Sequence, residues 1–290
     1  MINNKHVIIV IVTFNPTLDF FKCNLLLSEF QYVIVDNSES LPQDFIQTIQ
    51  LYTNVALIRN SKNLGIAEAL NIGCAWGIQH GFQVALLMDQ DSSLNASVLD
   101  GLLSYYNSYS NLCVPLAVVS PLHIVQTGQA INAPLSIEEK VTNGIFTMSS
   151  GNLVNLVLWE KIKGFNQQLF IDMVDVEYYI RALKAGYAVH TLNYLPMQHN
   201  LGNSQLRKVL WFNINVLHHD HLRKYYQVRN ILWLVNTYSE DVTEVKVFYR
   251  MLLDIFIGVI LFESSKVRKI CFMLKGGFDY LRGKLGKIND

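Results

Sequence analysis

Leu86-Leu87-Met88-Asp89-Gln90-Asp91-Ser92-Ser93 is an apolar run that ends in two carboxylates one residue apart. The run from 84 to 88 is short and reads as a buried strand, and the acids fall where the chain must turn. Two carboxylates just past a strand end can converge on one hard cation. Oxygen ligands suit Mg²⁺ or Mn²⁺, and phosphates would supply further oxygens. An Asp-x-Asp also satisfies the ordinary preference of turns for Asp and Ser. The surrounding chain decides between the two.

Upstream, residues 7–13 (Val-Ile-Ile-Val-Ile-Val-Thr) form a continuous β-branched run, which suits a strand covered on both faces. Residues 32–36 and 55–59 read as two more strands. Helices are predicted from Pro16 to about 30, from Pro42 onward, over 66–80 with Gly81 as the stop, and over 96–109. Gly73 and Gly77 lie four apart on one helix face and would let it approach the sheet closely. A fifth strand is expected at 117–120. Strand and helix alternate, so the fold class is α/β with a mostly parallel sheet and right-handed crossovers.

The polar residues Thr13, Asn15, Asp36, Asn37, Asn63, Asp89 and Asp91 all fall just past the C-terminal ends of successive strands. In an open α/β sheet those ends share one edge, where ligands bind. Turn residues scattered at random would populate both edges. Asn63-Leu64-Gly65 leads into a helix start, whose free amides favour phosphate. An N-cap followed by a turn glycine explains the same residues. There is no Gly-x-Gly-x-x-Gly and no Gly-x-x-x-x-Gly-Lys-Ser/Thr, so dinucleotide and P-loop sites find no support.

In the second half, Ser149-Ser150-Gly151 places small residues before an apolar run, permitting a close approach. Residues 158–163 suggest a short helix, and Gly164-Phe165-Asn166 turns the chain toward 169–177. A helical pattern begins near Asp175 and stops at Gly186, followed by a strand over 187–195. Asp172 or Asp175 can cap this helix, with Glu177 pairing to Arg181 four residues on. Alternatively, one of the carboxylates serves as a general base. His199 could contact a diphosphate or a metal, or be a structural histidine. Arg229 sits in a stretch of mixed cations and aromatics, 223–230, that could hold a phosphate or be a solvated face.

Composition narrows the class. Lys and Arg total 23, as do Asp and Glu, so no global basic field calls for nucleic acid. Hydrophobic residues make up 51% and charged residues 16%, which is greasy for a soluble enzyme and hints at a membrane surface. Four widely spaced cysteines lack metal-ligand spacing and read as reduced core residues. The apolar run at 7–13 is too short for a signal peptide. The longest later run, 251–262, is interrupted by Asp254 and falls short of the roughly 20 residues a spanning helix needs. Residues 264–290 carry seven cations against Asp279 and Asp290, seven minus two or +5, beside the apolar stretch 247–261. That pairing suits attachment to an anionic leaflet without crossing it. A C-terminal helical pair packed on the catalytic domain explains the same residues.

Together these pieces resemble the inverting family 2 glycosyltransferases of the GT-A fold, and among them bacterial rhamnosyltransferases that build O-antigen and other surface polysaccharides. The matching stretches are Val12-Thr13-Phe14-Asn15-Pro16, Val35-Asp36-Asn37-Ser38, residues 63–73, 87–92, Ser150-Gly151, Gly164-Phe165-Asn166, 170–177 and 226–230. They cover roughly residues 5–230 in the expected order. Each is weak alone, and the ordered set is specific.

The resemblance implies a catalytic domain over 1–205, with a donor half to about 120 and an acceptor half after it. A C-terminal helical, membrane-associating region would follow over 206–290. Thr13, Asn15, Asp36, Asn63, Gly65 and Asp89 would line the site for a nucleoside-diphosphate sugar, with Asp89 and Asp91 holding Mg²⁺ or Mn²⁺ on its diphosphate. Asp175 falls where the family places its base, although Val174 replaces the usual Glu and Asp172 stays a candidate. Asp172, His199 and Arg229 are possible acceptor or diphosphate contacts. The implied reaction moves a sugar, L-rhamnose from dTDP-L-rhamnose, onto a polyprenyl-diphosphate-linked glycan at the inner face of the cytoplasmic membrane. Another sugar, such as galactofuranose or a hexose, or a catalytically degenerate sugar-nucleotide-binding subunit, are the alternatives.

Overall fold

A computed structural model of the 290-residue chain describes residues 1–23, 28–92, 95–109, 114–124, 140–145, 147–198, 205–209, 212–240 and 245–288. The chain divides into two units. The first comprises residues 1–166 and 178–200, and the second 167–177 and 201–290.

The first unit is built on an eight-stranded sheet in the order β3-β2-β1-β4-β7-β5-β8-β6. Its strands are β1 (Val7–Thr13), β2 (Gln31–Asp36), β3 (Val55–Arg59), β4 (Val84–Asp89), β5 (Leu116–Ile124), β6 (Val141–Asn143), β7 (Asn152–Asn155) and β8 (Ala188–Gln198). Every residue of β1 is buried, as its unbroken β-branched run predicts for a central strand. Burying a Val or Ile side chain stabilises by about 1.5–3 kcal/mol, so this strand anchors the core. The helices are α1 (Phe20–Cys23), α2 (Gln43–Ile49), α3 (Ile66–Gln79), α4 (Ala96–Tyr109), α5 (Leu156–Lys161) and α6 (Val174–Lys184). Of α6, residues 174–177 belong to the second unit and the remainder to the first.

Three differences from the sequence reading have physical causes. The helix expected from Pro16 begins only at Phe20, because Thr17 and Leu18 spend their carbonyls on a turn to the amides of Phe20 and Phe21. Strand β5 runs on past Ser120 to Ile124; Pro121, which has no amide to donate, is absorbed where the register with β8 shifts between Pro121 and Leu122. The sheet is parallel from β3 to β4 and mixed beyond, because β7 enters antiparallel to both β4 and β5. Antiparallel pairing needs no helical crossover, so the strand–helix alternation did not announce it.

Gly73 and Gly77 behave as their spacing predicts. A Cβ on Gly73 would stand 2.3 Å from Val10 Cγ1, and one on Gly77 2.8 Å from Ile8 Cγ2, so α3 lies directly on β1. Helix propensity alone would make Gly73→Ala stabilising by about 1 kcal/mol. Here the clash falls on a fully buried residue of the central strand. Overpacking of this kind costs about 1–3 kcal/mol, so we expect Gly73→Ala to lower the melting temperature. A calorimetric scan showing an unchanged or raised midpoint would refute the close packing.

The second unit contains the hairpin β9 (Gln205–Val209) and β10 (Phe212–Val216), followed by α7 (His221–Tyr238), α8 (Val245–Leu261) and α9 (Lys266–Leu281). Asp220 caps α7 by accepting from the Arg223 amide. A Cβ on Gly276 would stand 2.5 Å from the Tyr225 carbonyl, so α9 packs tightly along α7. Between α7, α8 and α9 lies a buried ionic trio, in which Glu263 accepts from Lys224 at 2.8 Å and Lys269 at 2.6 Å. Burial alone would raise the Glu263 carboxyl's proton affinity. The two lysine hydrogen bonds outweigh it and hold the group below the usual carboxylate range. Among the described residues no helix is long and apolar enough to cross a membrane.

Candidate functional site

Strands β3, β2, β1 and β4 run parallel, so the polar residues after them share one edge. The centre of that edge is Asp36. Its Oδ1 accepts from Thr13 Oγ at 2.9 Å and from Ser38 Oγ at 2.8 Å, and its Oδ2 accepts from the Ser38 amide at 3.0 Å. Ser38 Oγ in turn accepts from the Asn15 amide at 2.6 Å. Asn15 is exposed and held at φ 47°, a left-handed conformation that Asn tolerates better than most residues.

Asp36 and Thr13 are each 0% exposed. Their side chains form an internal brace, and Phe14 and Asn15 beside them are exposed. Asn37 extends the brace, donating to the Gly65 carbonyl at 3.0 Å and accepting from Asn60 at 2.8 Å. Asn63 Oδ1 accepts from the Gly65 amide at 2.9 Å, and Gly65 stands at φ 87° at the start of α3. Asn63 is half-buried and Gly65 buried.

Asp89 closes β4 half-buried, and Asp91 is exposed two residues on. The turn between them is held from several sides. The Asp89 amide donates to Ser150 Oγ at 3.2 Å, Ser150 Oγ donates to Ser92 Oγ at 2.8 Å, and Ser92 returns its amide to the Asp89 carbonyl. Gln90 Oε1 accepts from the Phe14 amide at 2.9 Å, joining this turn to the one after β1. Gly151, at φ 83°, donates to the Leu87 carbonyl at 2.7 Å, and a Cβ there would meet Met197 Sδ at 2.4 Å. The small residues noticed at 149–151 thus pin the acidic turn from the neighbouring strand.

The donor set at this turn suits a hard, oxygen-loving cation. Among the described residues no three His, Cys, Asp or Glu side chains gather as a metal-holding group. A site of two carboxylates that leaves its remaining positions to phosphate and water fits Mg²⁺ or Mn²⁺, and does not fit a metal wanting a full protein cage.

The second unit carries the other candidates. Asp175 is half-buried in the first turn of α6, where its Oδ1 accepts from the Val176 amide at 2.9 Å. Asp172 is gripped by Arg223, whose Nε and terminal nitrogen lie 3.2–3.3 Å from its oxygens. Glu177, expected to pair with Arg181, accepts from Tyr238 Oη at 2.8 Å. Phe170, Asp172 and Met173 all have φ between 63° and 66°. Such conformations cost non-glycine residues about 1–3 kcal/mol each and persist only where neighbours enforce them.

Here the enforcing neighbours are Arg229 and Asn230. Asn230 Nδ2 donates to the carbonyls of Leu169, Ile171 and Asp172 at 2.8–2.9 Å. Arg229 donates to the carbonyls of Leu169, Gln168 and Gly286, and its guanidinium lies over the Tyr225 and Tyr226 rings. Arg229 is 1% exposed. Its terminal nitrogens donate to backbone carbonyls and its Nε to Asn230 Oδ1, all inside the unit. Its neighbour Asn230, which the sequence did not single out, is the closer clamp. Asn230→Ala takes this donor from the Ile171 and Asp172 carbonyls, while that of Leu169 keeps Arg229; a buried group left unsatisfied costs about 1–3 kcal/mol. We expect amide hydrogen exchange at 169–174 to accelerate in that variant; unchanged protection would disprove the clamp. His199 lies outside the described residues.

No family model matches the chain. The dTDP-rhamnosyl transferase RfbF of Shigella flexneri is 29% identical to it over 246 residues, covering 80% of each chain. Residues 1–349 of S. aureus TarS align over 96% of this chain and 91% of that one, at a TM-score of 0.53 and 12% identity. GalNAc-T7, solved with UDP, GalNAc and Mn²⁺, aligns over 67% of this chain at a TM-score of 0.54 and 14% identity; the aligned part spans 42% of that chain. The fold is thus the GT-A fold of glycosyltransferases, and along most of its length the sequence is similar to that of a rhamnosyl transferase.

Proposed function

We propose that this GT-A chain is an inverting, metal-dependent rhamnosyltransferase. It would move L-rhamnose from dTDP-L-rhamnose onto a polyprenyl-diphosphate-linked glycan in O-antigen or related surface-polysaccharide synthesis. The observation that carries the reading is the similarity to a dTDP-rhamnosyl transferase over four fifths of both chains. The braced polar edge after β1, β2 and β4 supports it, because it offers fixed polar groups where an α/β sheet binds ligands.

The residues then take these roles. The Thr13–Asn15 turn, held by Asp36 and Ser38, receives the nucleoside, with Asn63 and Gly65 beside it on the start of α3. Asp89 and Asp91 would hold Mg²⁺ or Mn²⁺ together with the donor phosphates, and the ion would offset the charge that develops on the leaving diphosphate. Asp175 takes the proton from the acceptor hydroxyl as that oxygen bonds to the anomeric carbon and the bond to the diphosphate breaks. A single displacement inverts the centre, so no second nucleophilic carboxylate is required, as in inverting glycosidases. Asp172, with both oxygens facing Arg223, is assigned to holding the 170–173 turn. The protein would work at the inner face of the cytoplasmic membrane, where such an acceptor resides.

Mass spectrometry of the products from a donor panel tests this. The purified chain, Mg²⁺ and a lipid-linked glycan acceptor are incubated with dTDP-L-rhamnose, UDP-galactofuranose or UDP-hexoses. Rhamnosylated product of inverted configuration is expected. Transfer of another sugar would overturn the donor assignment. Donor binding without turnover of any donor would favour a degenerate binding subunit.

A further inference from the structure

Helix α9 buries one face and leaves the other bare. Lys269, Met273 and Gly276 face inward, with Gly276 against the Tyr225 carbonyl. On the outside, Val267, Cys271, Leu274, Phe278 and Leu281 are exposed, at 77% for Val267, 59% for Phe278 and 76% for Leu281. Their spacing of four, three, four and three residues puts them in one continuous apolar stripe. Arg268, Lys275 and Arg282 follow at seven-residue intervals and line one edge of it.

The charge on this surface is of one sign. Among the described residues after Glu263, the exposed charged side chains are Lys266, Arg268, Lys275, Arg282, Lys284 and Lys287. The one carboxylate side chain among the described residues of that stretch, Asp279, is buried and accepts from Tyr225 Oη at 3.0 Å. Lys269 is turned in to Glu263. The sequence count of +5 mixed inward and outward groups, whereas the outward face is cationic throughout. A self-associating helix commonly brings acids to pair with its own cations across the seam. This helix offers none.

We propose that the Val267–Leu281 stripe of α9 docks on a lipid bilayer rich in anionic headgroups. The helix lies in the interface, with Leu274, Phe278 and Leu281 among the acyl chains and Arg268, Lys275 and Arg282 at the phosphates. The proposal does not depend on which sugar is transferred.

The test is co-sedimentation of the full chain with vesicles of phosphatidylcholine alone or with added phosphatidylglycerol, at low and high salt. Wild type should pellet with the anionic vesicles and release in salt. Leu274→Ser with Phe278→Ser should weaken vesicle partitioning by at least about tenfold. Both side chains are exposed, so the melting temperature should hold. Replacing Arg268, Lys275 and Arg282 by Gln should abolish the preference for anionic vesicles, by about fivefold for each cation. Sugar transfer to a short-chain, detergent-free acceptor should survive in both variants. Serine variants that pellet like wild type would overturn the proposal. So would a wild type that ignores vesicles but dimerises in solution and becomes monomeric on the serine substitutions, which would make the stripe a contact between copies. If these variants unfold, Phe278→Ala alone with the same vesicle readout decides.

Discussion

Asp91→Asn should lose at least about 10²-fold in turnover while the protein stays folded and keeps its melting temperature. The reasoning starts from position. Asp91 is exposed at the turn after β4, so its carboxylate contributes little to the core. The turn itself is held by Ser150, Ser92 and Gln90, none of which needs the Asp91 side chain charged. What the substitution removes is one of two oxygen anions available to a hard cation. A metal that offsets charge on a leaving diphosphate is worth several kcal/mol, and each 1.36 kcal/mol is a factor of ten in rate. The loss should fall mainly on kcat, and excess chelator should reproduce it in wild type. Full activity in the variant, or in chelator, would remove the metal from the reaction. A variant that melts far below wild type would show the carboxylate to be structural.

Asp175→Asn carries the second large effect. The asparagine keeps the shape and can still accept from the Val176 amide, so α6 should form as before. It cannot take a proton from an acceptor hydroxyl, and losing a general base costs about 10²–10⁴-fold. We expect kcat to fall by at least about 10²-fold with donor affinity unchanged, and the acidic limb of the pH–rate profile to vanish. Asp172→Asn makes the control. It releases Arg223 and loosens a strained turn, so its penalty should respond to temperature and spare the pH profile. If Asp172→Asn removes the acidic limb and Asp175→Asn is mild, the base is Asp172.

The strands of the parallel edge were legible because their signal is local. The β-branched run at 7–13 and the apolar run before Asp89 can hardly be anything but buried strands, and Gly73 and Gly77 announced their contact by spacing alone. The inward turn of Asp36 was not legible. An aspartate at a strand end reads the same whether it faces a ligand or the hydroxyls of Thr13 and Ser38, and only the fold brings Thr13 within 2.9 Å. The partners of Arg229 were hidden for a similar reason. Cations among tyrosines suggest a phosphate grip, yet its carbonyl partners lie 57 to 61 residues away along the chain, a distance no pattern reports. The entry of β7 between β4 and β5 was hidden because a four-residue strand carries no periodicity to read.

The lock on residues 168–172 bears on how enzymes of this kind could be recombined. Arg229 and Asn230 hold this segment from α7, and Gly286 closes it from the far end of the chain, donating its amide to the Gln168 carbonyl while accepting from Arg229. A chimera that exchanged everything after residue 205 would cut through the lock, leaving a native turn facing a foreign arginine–asparagine pair. The transplantable piece is discontinuous: residues 167–177 have to travel with the C-terminal helices and with the few residues beyond α9.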